Sequence, residues 1–299
     1  MISTLSQRFI RTLLFLSITL SYSSWPASSQ IADNPSLSFA PKHRVNAHGD
    51  EFNSLARTAD GRFAIIGTEK GDLLLWNLTS QKIERTLHQP SAVHYVVALS
   101  DSRYLVAAGS NHYAPRNSLV RKWNLANGTF EDLPGLPTDS FPTALAFDSK
   151  TGLVAVGVSD GTIIVWNSAT NKVVANFKTQ DVPIALALMG RDVYVVGIPQ
   201  ESLRTYQEPA ENWIVRFNVD NPNQGGSEFL KTPGRLWDAI DSSPDNQLLV
   251  ASFREQGTGE FTVIIEPHSR SELAKVEGSQ LAGSIPQALC NLRDSIQPE

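Results

Sequence analysis

Residues 151–177 read TGLVAVGVSDGTIIVWNSATNKVVANF, and the spacing of their turns decides the fold. Residues 153–158 are a short apolar run rich in valine, stopped by Ser159, Asp160 and Gly161. Residues 162–166 form a second run ending in Trp166, and after an Asn-Ser-Ala-Thr-Asn turn residues 172–177 form a third. β-Branched and aromatic side chains suit a pleated, half-buried surface, whereas Gly, Asn, Asp and Ser supply the backbone angles of tight turns. The stretch therefore predicts three consecutive antiparallel strands.

Working outward, the run 141–148 adds a leading strand, and the four-strand unit recurs on both sides. Upstream, strands are expected at 51–58, 62–68, 73–77 and 82–87, then at 93–100, 104–110, 119–124 and 129–133. Downstream they are expected at 182–189, 193–199, 213–218 and 228–231, then at 235–242, 247–253, 261–266 and 272–276. A small residue sits late in each second strand, Gly67, Gly109, Gly157, Gly197 and Ala251, where neighbouring backbones have to come close. A large side chain closes each third strand before a turn residue: Trp76, Trp123, Trp166, Phe217, and Ile265 as a replacement. A buried aromatic offers about 150–250 Å² of contact, enough to pin one unit onto the next. These positions recur every 43 to 51 residues, near the ~40–45 residues of a four-stranded propeller blade. The predicted fold class is all-β: a β-propeller of four-stranded antiparallel blades, five of them visible over residues 48–276.

Three third strands end LLLWN, VRKWN and IIVWN, with SDG ahead of the last and Ala47-His48-Gly49 ahead of the first blade. In these features the chain resembles the WD-repeat family of β-propellers. In that family a His before the first strand, a Ser or Thr in the second, an Asp in the turn before the third and the Trp form a hydrogen-bonded set within a blade. Carried over, the resemblance places His48, Thr68 and Trp76 in one set, with Lys70 where the Asp belongs, and Asp160 and Trp166 in another that has no His near Asp139 or Ser140. It also implies a platform for a protein or peptide partner more than an enzyme. The family most often has seven blades. Five blades closing into a ring is the expectation here, and an open arc completed by self-association is the alternative, because an exposed strand edge invites pairing. Residues 37–45, interrupted by Pro41, and residues 272–276 both suit the outer strand of blade five.

The flanks and composition narrow the setting. With 41% hydrophobic and 18% charged residues the chain can build a core, and a formal charge of −5 without clustered Lys or Arg excludes an electrostatic grip on nucleic acid. Arg8 and Arg11, the apolar residues 13–20 and the small residues Ala27, Ser28 and Ser29 read as an export signal over 1–29, cleaved before Gln30. The alternative is an uncleaved anchor, although the apolar core at 9–20 falls short of the ~20 residues that span a bilayer. The expected location is therefore periplasmic or secreted, with no stable membrane insertion after cleavage. Residues 30–47 are a leader with a possible closing strand, and 277–299 a tail, helical at 285–296 or disordered. Cys290 is the only cysteine, so no internal disulfide forms.

Chemistry is sparse. Residues 157–161, GVSDG, match the G-x-S-x-G nucleophile elbow, but that motif needs a helix after the serine, and a β-branched strand follows. The six histidines are scattered with no H-E-x-x-H spacing, and no metal or other cofactor is expected. Asn77-Leu78-Thr79 and Asn127-Gly128-Thr129 are glycosylation sequons lying in turns. In a meander, the connections between second and third strands share one face of the disc. Those at 111–118, 200–212 and 254–260 are enlarged, and insertions gathered on one face mark a binding face. Tyr113, Arg116, Arg204, Tyr206, Glu208 and Arg254 lie there, and Tyr and Arg are enriched in interface hot spots. The competing class is an enzyme or small-molecule binder at the central channel, drawing on His94, Tyr95, Trp237 and Asp238.

Overall fold

The computed structural model describes residues 51–111, 114–205, 209, 211–255 and 257–277, and there it forms five four-stranded antiparallel sheets. Blade one is β1 (Phe52–Arg57), β2 (Phe63–Thr68), β3 (Asp72–Asn77) and β4 (Lys82–His88). Blade two is β5 (Tyr95–Ala98), β6 (Tyr104–Asn111), β7 (Ala114–Asn124) and β8 (Phe130–Asp132). Blade three is β9 (Pro142–Asp148), β10 (Leu153–Val158), β11 (Thr162–Asn167) and β12 (Lys172–Lys178). Blade four is β13 (Val182–Met189), β14 (Asp192–Ile198), β15 (Ile214–Asn218) and β16 (Ser227–Leu230); blade five is β17 (Arg235–Ser242), β18 (Leu249–Glu255), β19 (Gly259–Glu266) and β20 (Ser271–Glu277). Every sheet keeps its strands in chain order, so each is a meander of hairpins, as the turn spacing predicts. The shortest first strand is in blade two, where the Val93 amide leaves its own sheet to donate to the Thr68 carbonyl of blade one at 2.9 Å.

First strands of successive blades lie side by side, β1 with β5, β5 with β9, β9 with β13 and β13 with β17, while the fourth strands β4, β8, β12 and β20 are largely exposed. Burial therefore falls from the first strands outward to the fourth. Because side chains alternate along a strand, each sheet gives one face to the blade before it and one to the blade after it. Ile65, Leu73 and Leu75 of blade one meet Leu105, Ala107 and Trp123 of blade two. Val106, Ala108 and Val120 meet Val154, Val156 and Trp166. Ala155, Ile163 and Val165 meet Val193, Val195 and Phe217, and Tyr194, Val196 and Ile214 meet Leu249, Val263 and Ile265. In blades two to five the residue closing the third strand thus faces the preceding blade, the pinning role expected of it. Burying one such aliphatic side chain stabilises by about 1.5–3 kcal/mol. At the ends of the series the pattern loosens. Val250 and Ile264 pack with Leu248 and Ala274 of their own blade, and on blade one Leu55 is 48% exposed and Trp76 half-buried, whereas Trp166 is fully buried.

The small residues work in two ways. A Cβ on Gly67 or Gly157 would press on the entry to the next blade, 2.5 Å from Val93 Cγ1 and 2.7 Å from Pro183 Cβ. Gly109 and Gly197 sit one ladder position later and lie against the entry to their own blade, at the Ala92 carbonyl and 2.8 Å from Asp181 Cβ. Ala251 does not belong to this set. The pair Leu249 and Ile265 matches Val193 and Phe217, so the place of Gly197 falls to Phe253, which packs on Trp237 with ring centroids 4.9 Å apart. His48, the strand expected at 37–45 and the tail helix at 285–296 lie outside the described residues.

Candidate binding face

Hairpins between second and third strands, and the links from one blade to the next, emerge together on one side of the propeller. Backbone bonds lace them. Gly71 and Gly161 hold φ of +92° and +89°, and their carbonyls accept from Gln89 and Thr179 of the outgoing links at 2.9 Å each. A Cβ at Gly161 would lie 2.5 Å from the Thr179 carbonyl, so glycine is required for the angle and for the approach. The Ser159 amide donates to the Phe141 carbonyl, and the Ser159 hydroxyl accepts from the Phe141 amide at 3.1 Å. Ser159 is therefore a turn residue followed by β11, and the elbow match carries no hydrolase geometry.

The three enlarged connections are built differently from simple loops. In blade two the expected loop at 111–118 is mostly strand: β7 begins at Ala114, which pairs with Asn111, so Arg116 lies in β7. In blade five β18 and β19 run on to Glu255 and Gly259, leaving a connection of only 256–258. Between β14 and β15 a helix, α1 (Gln200–Thr205), carries Arg204. The return of this connection is fastened to blade five by Asn212. Its side-chain amide donates to the Gly197 and Trp237 carbonyls at 3.1 and 2.9 Å and its oxygen accepts from the Trp237 amide at 2.6 Å. Glu211 accepts from the Gly234 amide at 3.2 Å.

Of the other residues read from sequence, Tyr113, Tyr206 and Glu208 lie outside the described residues. Arg254 is held by Asp238, with Nε and Nη2 donating to the carboxylate at 3.0 and 2.9 Å. The structure thus joins two residues that the sequence assigns to different sites, one on the loop face and one in the channel. Trp237 is fully buried in the cluster between blades four and five and does not line a channel. Tyr95 keeps its phenol protonated, since burial pushes its pKa up to about 12. His94 and Tyr95 are neighbours with ring centroids 6.3 Å apart. Among the described residues no group of three His, Cys, Asp or Glu is placed to hold a metal ion, and no helix is long and apolar enough to cross a membrane.

The hydrogen-bonded set that the family resemblance implies is not made in blade three. Trp166 Nε1 donates to the Pro134 carbonyl in the link from blade two at 2.9 Å. Asp160 instead accepts from the Thr162 amide and hydroxyl and from Lys178 Nζ, at 2.9, 3.0 and 2.9 Å. Desolvation works to raise the Asp160 carboxyl, but these donors outweigh it and hold it below the ordinary value. In blade one the Thr68 hydroxyl accepts from the Asp72 amide at 3.0 Å, and Asp72 faces His88 Nδ1 at 2.9 Å.

The opposite side of the propeller holds a residue that carries no signal of its own in the sequence. Asp148, 2% exposed, closes β9 and accepts from the Lys150 and Thr151 amides, the Thr151 hydroxyl, the Gly190 amide of blade four and Asn246 Nδ2 of blade five, at 3.1, 3.3, 2.6, 3.1 and 3.0 Å. Lys150 Nζ adds a bond to the Asp245 carbonyl. Asp60, Asp101 and Asp245 cap the matching turns of blades one, two and five, which was the available signal.

A family model for the WD domain, G-beta repeat, matches residues 136–167, the link into blade three and its first three strands. No curated protein matches the sequence. Among solved structures, the Myceliophteria thermophila Cps50 (Swd1) beta-propeller domain is similar with a TM-score of 0.60 and 16% identity, over 79% of this chain and 76% of that one.

Proposed function

We propose that this chain, a β-propeller carrying a WD repeat at residues 136–167, is an exported, non-enzymatic scaffold that binds a protein or peptide on the face bearing α1. WD propellers in general bind protein partners, and one observation supports this face in particular. Among the described residues the connection between β14 and β15 is the one that inserts an α-helix, and the buried Asn212 fixes its return to the neighbouring blade. A helix held by a packed scaffold presents side chains with less ordering cost on binding than a free loop. The channel reading has less to work with, because Trp237 is packed away and Asp238 is tied to Arg254. Export rests on the basic and apolar pattern of residues 1–29, and self-association remains part of the proposal through the looser faces of blades one and five.

The test is affinity capture from the source cell envelope or medium, with the intact chain and with residues 200–210 replaced by a short turn that leaves Asn212 in place. Loss of the partner with the shortened chain supports the face. Equal recovery removes it.

A further inference from the structure

The two sequons of this chain are not equivalent in the fold, and we propose that Asn127 is an acceptor for N-linked glycan while Asn77 is shielded. The proposal rests on the export reading only for its biological setting. Asn77 ends β3, paired with Phe63 of β2 and Lys82 of β4. Both ends of its side chain are engaged: Oδ1 accepts from the Thr79 and Ser80 amides at 2.7 and 2.8 Å, and Nδ2 donates to the Glu84 carboxylate. Attaching a sugar at that nitrogen has to displace Glu84 beside a paired strand.

Asn127 lies in the exposed turn between β7 and β8. Its Oδ1 accepts from the Thr129 amide at 3.0 Å and from the Thr129 hydroxyl at 2.8 Å, and its Nδ2 makes no hydrogen bond among the described residues. The third residue of the sequon thus already grips the carbonyl oxygen of the first, and the residue is exposed. Two donors on Oδ1 fix the amide plane, so the nitrogen is presented in one orientation. Gly128, at φ +75°, gives the turn its tightness without a side chain over the site. In the transfer, Asn127 Nδ2 attacks the anomeric carbon of an oligosaccharide carried on a lipid pyrophosphate. The C–N bond forms, the bond from that carbon to the pyrophosphate oxygen breaks, the lipid pyrophosphate departs, and one amide proton passes to a base of the transferase.

The experiment uses the purified folded chain 30–299, an oligosaccharyltransferase and a lipid-pyrophosphate-linked oligosaccharide, with occupancy mapped by peptide mass spectrometry; heat-denatured chain is treated in parallel. In the denatured chain both sequons should be modified to similar extents. In the folded chain Asn127 should exceed Asn77 by about tenfold or more, the factor carried by one charge-assisted hydrogen bond that has to be broken. N127Q should cut modification of the folded chain by about tenfold or more, and N77Q should leave it nearly unchanged. Equal occupancy in the folded chain, preference for Asn77, or no modification of Asn127 even after denaturation overturns the proposal. The export reading fails or stands separately, on whether residues 1–29 direct a reporter out of the cytoplasm.

Discussion

Replacing Asp148 by alanine removes an acceptor that three blades share. The carboxylate is buried and takes five donors, of which Gly190 and Asn246 belong to blades four and five. A buried donor left without an acceptor costs about 1–3 kcal/mol. Water can reach the exposed Lys150 and part of Thr151, so the loss falls mainly on the two donors from other blades, and D148A should destabilise by about 3–5 kcal/mol. D148N, which keeps one oxygen, should lose roughly half of that. Asp101 provides the control. It caps the same turn of blade two, is exposed, and accepts only the Arg103 and Tyr104 amides at 3.0 and 3.3 Å, so D101A should cost about 0.5–1.5 kcal/mol. Urea unfolding followed by tryptophan fluorescence measures both. If D148A and D101A lose the same stability, the bonds between blades contribute nothing and the reasoning is wrong.

Two further expectations concern single residues. Burial raises the Asp241 carboxyl from 3.8 to about 6 against the Ser242 amide that favours its charge, so the folded state holds this proton more tightly than the unfolded chain. Its contribution is full below about pH 4 and is lost as pH rises through 6, so D241N should stabilise at pH 7 by up to ~3 kcal/mol and flatten thermal stability between pH 4 and 6; parallel profiles for the two proteins would refute this. G109A drives a methyl group into the Ala92 carbonyl and should cost about 2–4 kcal/mol in urea unfolding, whereas G190A, with no atom within 4 Å and φ of +64°, should cost only about 1 kcal/mol for the backbone angle.

Fold and site were unequally legible. Strand runs, turn residues and the recurring Trp revealed the meander and the direction in which each blade packs, because burial on two faces leaves a local, periodic trace in the chain. Ala251 misled because the eye matches small residues by their place in a run, whereas the ladder matches them by cross-strand partner, and there Phe253 holds the position. The enlarged loops misled for a related reason. Ala114 to Leu119 and Gly259 to Phe261 are polar or glycine-bearing, yet a hairpin can continue past the edge of its blade where the facing strand supplies the hydrogen bonds. Asn212 and Asp148 were invisible because key partners lie in other blades, up to 98 residues away for the Asn246 side chain, and others, such as Trp237 and Gly190, are met through backbone atoms, which have no letter in the sequence.

An array of repeats that touch only their neighbours behaves as a one-dimensional chain of dominoes, each free to fall once the next has gone. Asp148 breaks that rule by reaching past blade four to blade five. Blades three, four and five are therefore joined through one carboxylate. A partner seated over α1 rests on blades joined in that way; one that touches the β6–β7 hairpin rests on blade two, which Asp148 does not reach.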